Sequence, residues 1–111
     1  MSDLNQRHCE APENFTGALS STECDPLLRQ LHEDWHLDTA TGRISRRLKF
    51  ANFHETMTFV NAVAWIANRE DHHPDLEVSY GHCVVHFSTH AVGGLSPNDF
   101  ICAARVDALF D

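Results

Sequence analysis

The sequence has little basic charge, no long apolar run and no close-set cysteine pair, and each shortage removes a class of function. Its 8 lysines and arginines stand against 16 aspartates and glutamates, a formal net charge of −8. Unaided binding to nucleic acid or to an anionic membrane needs a basic surface, so neither is expected, and a small neutral or polar ligand is the easier partner. The opening stretch from Met1 to Glu10 has no apolar leader, and no later run approaches bilayer-spanning length, so a cytoplasmic location without membrane contact is expected. The cysteines, Cys9, Cys24, Cys83 and Cys102, form no C-x-x-C pair, which argues against a zinc ribbon or dithiol exchange and for reduced structural or surface thiols. No internal repeat or low-complexity segment occurs.

What is there suits one folded domain. The chain is 111 residues long, 42% apolar and only 22% charged, enough for a single core and too apolar for disorder. Residues 1–19 mix polar and small residues without a sustained period and read as an irregular N-terminal arm, with His8-Cys9 solvated. The domain proper is expected over 20–111.

The apolar periods give its elements. Ser20 with Glu23 offers a capping box, and Asp25-Pro26 an alternative start; Leu27, Leu28 and Leu31 then repeat at helical spacing, predicting a short helix that ends near His32. Residues 34–38 and 44–50 alternate around a Thr39–Gly42 turn as a hairpin. The basic cluster Arg43, Arg46, Arg47 and Lys49 reads as a solvated strand face that resists edge pairing. Asn52 and Glu55 open a central helix over about 53–69, whose wide apolar surface suggests burial on more than one side. A second hairpin turns at Gly81, with Cys83, Val85 and Phe87 toward the core and His82 and His86 toward the other face. Ser96-Pro97-Asn98-Asp99 caps a C-terminal helix. The predicted order is α-β-β-α-β-β-α: a single α+β domain, a four-stranded antiparallel sheet with three helices mainly on one face. Its open face and edges make a homodimer or homotetramer the expected state.

The histidines, nine in all, concentrate interest on one stretch. His72-His73-Pro74, Tyr80 six residues after the proline, His90 ten further on and Asp99 nine beyond that, together with Asp71, Ser88-Thr89 and Gly94-Leu95-Ser96, resemble the pterin-4a-carbinolamine dehydratases. The resemblance covers roughly residues 20–110, and the His8-Cys9-Glu10 arm is similar to that of bacterial members associated with phenylalanine hydroxylase. It implies dehydration of 4a-hydroxytetrahydropterin to quinonoid dihydropterin, recycling the pterin of aromatic amino-acid hydroxylation. That makes His72 and His90 acid/base residues, with His73 in the site chiefly to bind. Asp71, Ser88, Thr89 and Asp99 are the accompanying binding positions. No cofactor or metal is implied; His86 and His90 are spaced H-x-x-x-H, but on a strand that spacing separates them by about 13 Å at roughly 3.3 Å per residue. One position departs from the family: Asn68 stands where an acid is usual, with Glu70 and Asp71 the nearby carboxylates.

Residue by residue, Asp99 also has a purely structural use as the acid closing the helix cap, and Tyr80 and Trp35 read as packing residues before ligand contacts. The rival reading is a non-catalytic interaction or dimerisation module of the same fold, using the apolar side of the central helix.

Overall fold

A computed structural model describes residues 3–111. The elements follow in the order α1 (Ser21–Leu28), β1 (His36–Asp38), β2 (Arg43–Lys49), α2 (Phe53–Glu70), β3 (Asp75–Val78), β4 (His82–Phe87) and α3 (Pro97–Asp107). The strands form one antiparallel sheet in the order β1-β2-β4-β3. Strand alternation puts Ile44 and Leu48 of β2 with Cys83, Val85 and Phe87 of β4 on one face, all buried, where they meet Phe59, Val63 and Ile66 of α2 and Phe100, Ile101 and Val106 of α3. Cys24 of α1 and Leu31 join the same cluster, so the three helices share one side of the sheet. The other face carries Ser45, Arg47, Lys49, His82, Val84 and His86. A radius of gyration of 13.4 Å is that of a single compact domain, about 13 Å for a chain of this size.

Local chemistry explains most boundaries. Ser20 and Glu23 form a reciprocal capping box, so the first of the two candidate starts for α1 is used and Pro26 falls inside the helix. The helix stops at Leu28, short of His32: Gln30 and Leu31 return to Leu27 and Leu28 in tighter turns, and the His32 amide donates to Asp107 Oδ2 at 2.9 Å. Asn52 caps α2 by accepting from the Glu55 amide.

The end of α2 matters most for the site. Asp71 takes a left-handed conformation (φ 51°), and both its amide and that of His72 return to the Ala67 carbonyl, closing the helix and reversing the chain. The next ring, His72, is thereby turned inward, and Pro74 leads straight into β3. At the tip of the second hairpin the Gly81 carbonyl accepts from the Phe50 amide at 2.8 Å, and a side chain at Gly81 would press on the Phe50 carbonyl at 3.2 Å.

The arm is not a solvated tail. Two 3-10 turns, Leu4–Gln6 and Pro12–Asn14, shape it; Leu4 is buried, and Cys9 is half-buried against the core. Periodicity could not reveal this, because the arm docks through single side chains and backbone amides.

Candidate active site

The site is built where the end of α2, the segment after β4 and the start of α3 meet. Ser96 caps α3, its hydroxyl accepting from the Asn98 amide, and Asp99 reaches back so that its Oδ2 accepts from the Ser96 amide at 3.0 Å. Thr89, which leaves β4 through a bridge to Gly94, donates its hydroxyl to the same Oδ2 at 2.8 Å and lies 2.8 Å from the Ser96 hydroxyl. Asp99 is fully buried, and its second oxygen, Oδ1, is 2.6 Å from His72 Nε2. The imidazole of His72, 8% exposed, lies nearly parallel to the Phe87 ring, 11° between planes and 6.0 Å between centroids.

The electrostatics follow from burial. A carboxylate out of water is tolerable only when its lone pairs are filled, and Asp99 receives an amide, a hydroxyl and an imidazole. The negative charge sits in the first turn of α3, where the helix dipole favours it. An acceptor on Nε2 fixes the ring's orientation and keeps a proton on that nitrogen, so the free lone pair of the neutral ring is on Nδ1.

The structure thus brings His72, Thr89 and Asp99 into one hydrogen-bonded cluster and adds Ser96, which the sequence offers as a cap and as part of the family resemblance but not as a site residue. The rings of His73 and His90 are exposed and have no hydrogen-bond partner among the described residues; His90 opens a 3-10 turn directly after Thr89. Asp71 is the exposed left-handed residue beside His72, and Ser88 is half-buried beside Thr89.

Neighbouring polar residues are otherwise engaged. Glu70, almost wholly buried, accepts from the Cys9 amide at 2.7 Å, and its other oxygen meets His8 Nδ1 at 2.9 Å and Arg105 Nε at 3.8 Å. Burial pushes its carboxyl up, but these donors outweigh it and the net value lies below the ordinary one. Glu70 therefore serves the arm. Asn68 is exposed. Trp35 is buried, its Nε1 donating to Asp107 Oδ1 at 2.8 Å, and Tyr80 is exposed at the hairpin tip over Phe53. On the open sheet face His86 lies between Ser45 Oγ (2.5 Å from Nδ1) and Glu77, whose carboxyl the His86 hydrogen bond lowers.

Architecture and cluster define a class: a small antiparallel α+β protein with a carboxylate-held imidazole suited to proton transfer. The family described as pterin 4 alpha carbinolamine dehydratase matches residues 17–109. The chain belongs to that family. It is 55% identical over 108 residues, 97% of this chain and 96% of the other, to a protein of Legionella pneumophila (strain Corby) provisionally named a pterin-4-alpha-carbinolamine dehydratase. A Nitrosomonas europaea protein of the same provisional name is 52% identical over 108 residues, 97% of this chain and 94% of its own. Among solved structures, a transcriptional coactivator/pterin dehydratase from Brucella melitensis superposes with a TM-score of 0.78 at 28% identity, covering 84% of this chain and 98% of that one. A pterin dehydratase-like RuBisCO assembly factor of the alpha-carboxysome shares the fold, with a TM-score of 0.61 at 22% identity over 70% of this chain and 90% of its own.

Proposed function

We propose that the protein is a hydro-lyase that converts 4a-hydroxytetrahydropterin to quinonoid dihydropterin and water. The observation that carries this reading is the 2.6 Å contact between His72 and the buried Asp99 in a chain of this family. In the reaction the C4a–O bond breaks as the N5 lone pair forms the N5=C4a double bond; an acid delivers a proton to the departing oxygen, and a base takes the N5 proton. Histidine, whose unperturbed pKa is about 6.5, serves either role at neutral pH. His72, oriented by Asp99 and offering Nδ1, is one of the pair. His90, exposed and without a hydrogen-bond partner among the described residues, is the other, and His73 binds the pterin with Asp71, Ser88 and Thr89. Asp99 acts through His72 as a positioning residue. The substrate's origin in aromatic amino-acid hydroxylation supports a functional link to a phenylalanine hydroxylase in the cytoplasm.

The molecule works as a homodimer or homotetramer. The edge of β2 from Arg46 to Lys49 extends past the three-residue β1, and Phe53, Trp65, Leu109 and Phe110 are each more than 40% exposed. Exposed aromatic surface of this kind also supports the second reading, an interaction module of the same fold. A stopped-flow ultraviolet assay on chemically generated 4a-hydroxytetrahydropterin separates the two. Acceleration by the native protein, falling by about 10² or more in folded His72→Ala or His90→Ala, the usual scale for losing a general acid or base, supports the dehydratase. No acceleration over buffer by folded protein overturns it in favour of the interaction module.

A further inference from the structure

Two cysteines far apart in sequence meet beside the start of α3. Cys9 lies on the arm and Cys102 one turn beyond Asp99, and their sulfurs are 3.4 Å apart. The seat is built on the backbone as well as the side chains. The Cys9 amide donates to Glu70 Oε1 at 2.7 Å, the Glu10 amide donates to Asn98 Oδ1 at 2.9 Å, and Asn98 Nδ2 donates back to the Glu10 carbonyl at 2.8 Å. Cys9 is thereby held from both sides, with its thiol toward the Asn98 carbonyl at 3.7 Å. A disulfide brings its sulfurs to about 2.05 Å, so joining this pair needs movement on the order of 1 Å shared between two side chains. Cys102 is fully buried and Cys9 half-buried, which gives the two sulfurs unequal access to solvent.

We propose that Cys9 and Cys102 are a redox-responsive pair, which a hydroperoxide oxidises to an intramolecular disulfide fastening the arm to α3. The Cys9 sulfur attacks the peroxide O–O bond and becomes a sulfenic acid, while the other oxygen leaves as water or an alcohol. The Cys102 sulfur then attacks the Cys9 sulfur and expels hydroxide, which takes the Cys102 proton and leaves as water. Two thiols lose two electrons and two protons, and the peroxide gains them. Access sets the order: Cys9 meets the oxidant and Cys102 resolves it. The Cys102 thiol is pushed up by its contact with Cys9 and by burial, which keeps it from reacting first. Cys24 and Cys83 are buried without a sulfur partner among the described residues and act as internal controls. Asn98 and Asp99 stand one turn before Cys102 on α3, and Asn98 holds the Glu10 backbone, so the latch fastens the arm next to the turn that carries Asp99.

The test treats the full chain with increasing hydrogen peroxide, counts thiols after denaturation and maps the digested protein by mass spectrometry. The expected result is a fall from four thiols to two, a peptide joining Cys9 to Cys102, a raised thermal midpoint and complete reversal by dithiothreitol. Cys9→Ser, a change on the arm that leaves the core intact, is expected to retain its three thiols at the same dose. Sulfinic acid at Cys9, a disulfide between chains, or four surviving thiols at a dose that oxidises an unstructured cysteine peptide would each overturn the proposal.

Discussion

One carboxylate does two jobs at Asp99. Its Oδ2 completes the cap of α3 and its Oδ1 holds His72, so Asp99→Asn either loses one neighbour or forces His72 into the other tautomer: an amide offers one accepting oxygen where two accepted before. A buried donor left without its charged acceptor costs about 1.5–3 kcal/mol. The expected outcome is a folded protein with a lower thermal midpoint and a dehydratase kcat reduced by about 10², with KM little changed, since the loss acts through His72 rather than on substrate. Glu70 makes a prediction in pH. Its carboxyl is depressed in the folded protein, so its contribution to stability is present above the unfolded value, about 4.3, and is lost as pH falls through the lower folded value. Urea midpoints of the native chain and Glu70→Gln should therefore differ at pH 7 and converge as pH drops below about 4.

Among the elements, what the sequence shows best is what is local. The caps at Ser20, Asn52 and Ser96 and the alternation of both hairpins depend on residues a few positions apart, and the structure forms all of them. The cap at Asp99 is legible for the same reason, but its bond to His72, 27 residues away, has no signature in the sequence; the resemblance puts the two residues in one site without joining them. The docking of the arm and the premature end of α1 had no pattern to announce them. Asp107 shows why: it collects the His32 amide, Trp35 Nε1 and Arg46 Nη1, partners 61 to 75 residues distant, and so ties the last turn of α3 to β2 and to the loop before β1. Each partner is a single residue with no periodic signature. Asp107→Ala strands a largely buried guanidinium and an indole N–H, and is expected to lower the free energy of unfolding by about 3 kcal/mol in urea titrations.

For the whole molecule, the surfaces left open are where the proposed assembly is tested. A groove of about 470 Å³ lies between α2 and the C-terminus, lined by Phe50, His54, Thr58, Phe59, Ala62 and Phe110, and Trp65 stands 61% exposed on the same helix. Light scattering coupled to size exclusion should give an integral multiple of the 12.5 kDa chain, and Trp65→Glu should lower that multiple while leaving the circular dichroism spectrum unchanged. The chain's layout also has a consequence for its synthesis. Ribosomes deliver the N-terminus first, so the sheet and α2 are made before the carboxylate that orients His72, which follows 27 residues later. A nascent chain that ends before α3 carries an unheld imidazole and a sheet face still missing one of its helices. Asp99 and the core residues Phe100, Ile101 and Val106 arrive on the same helix, so synthesis completes the core and the His72 cluster together, and a fragment ending before residue 99 would lack both.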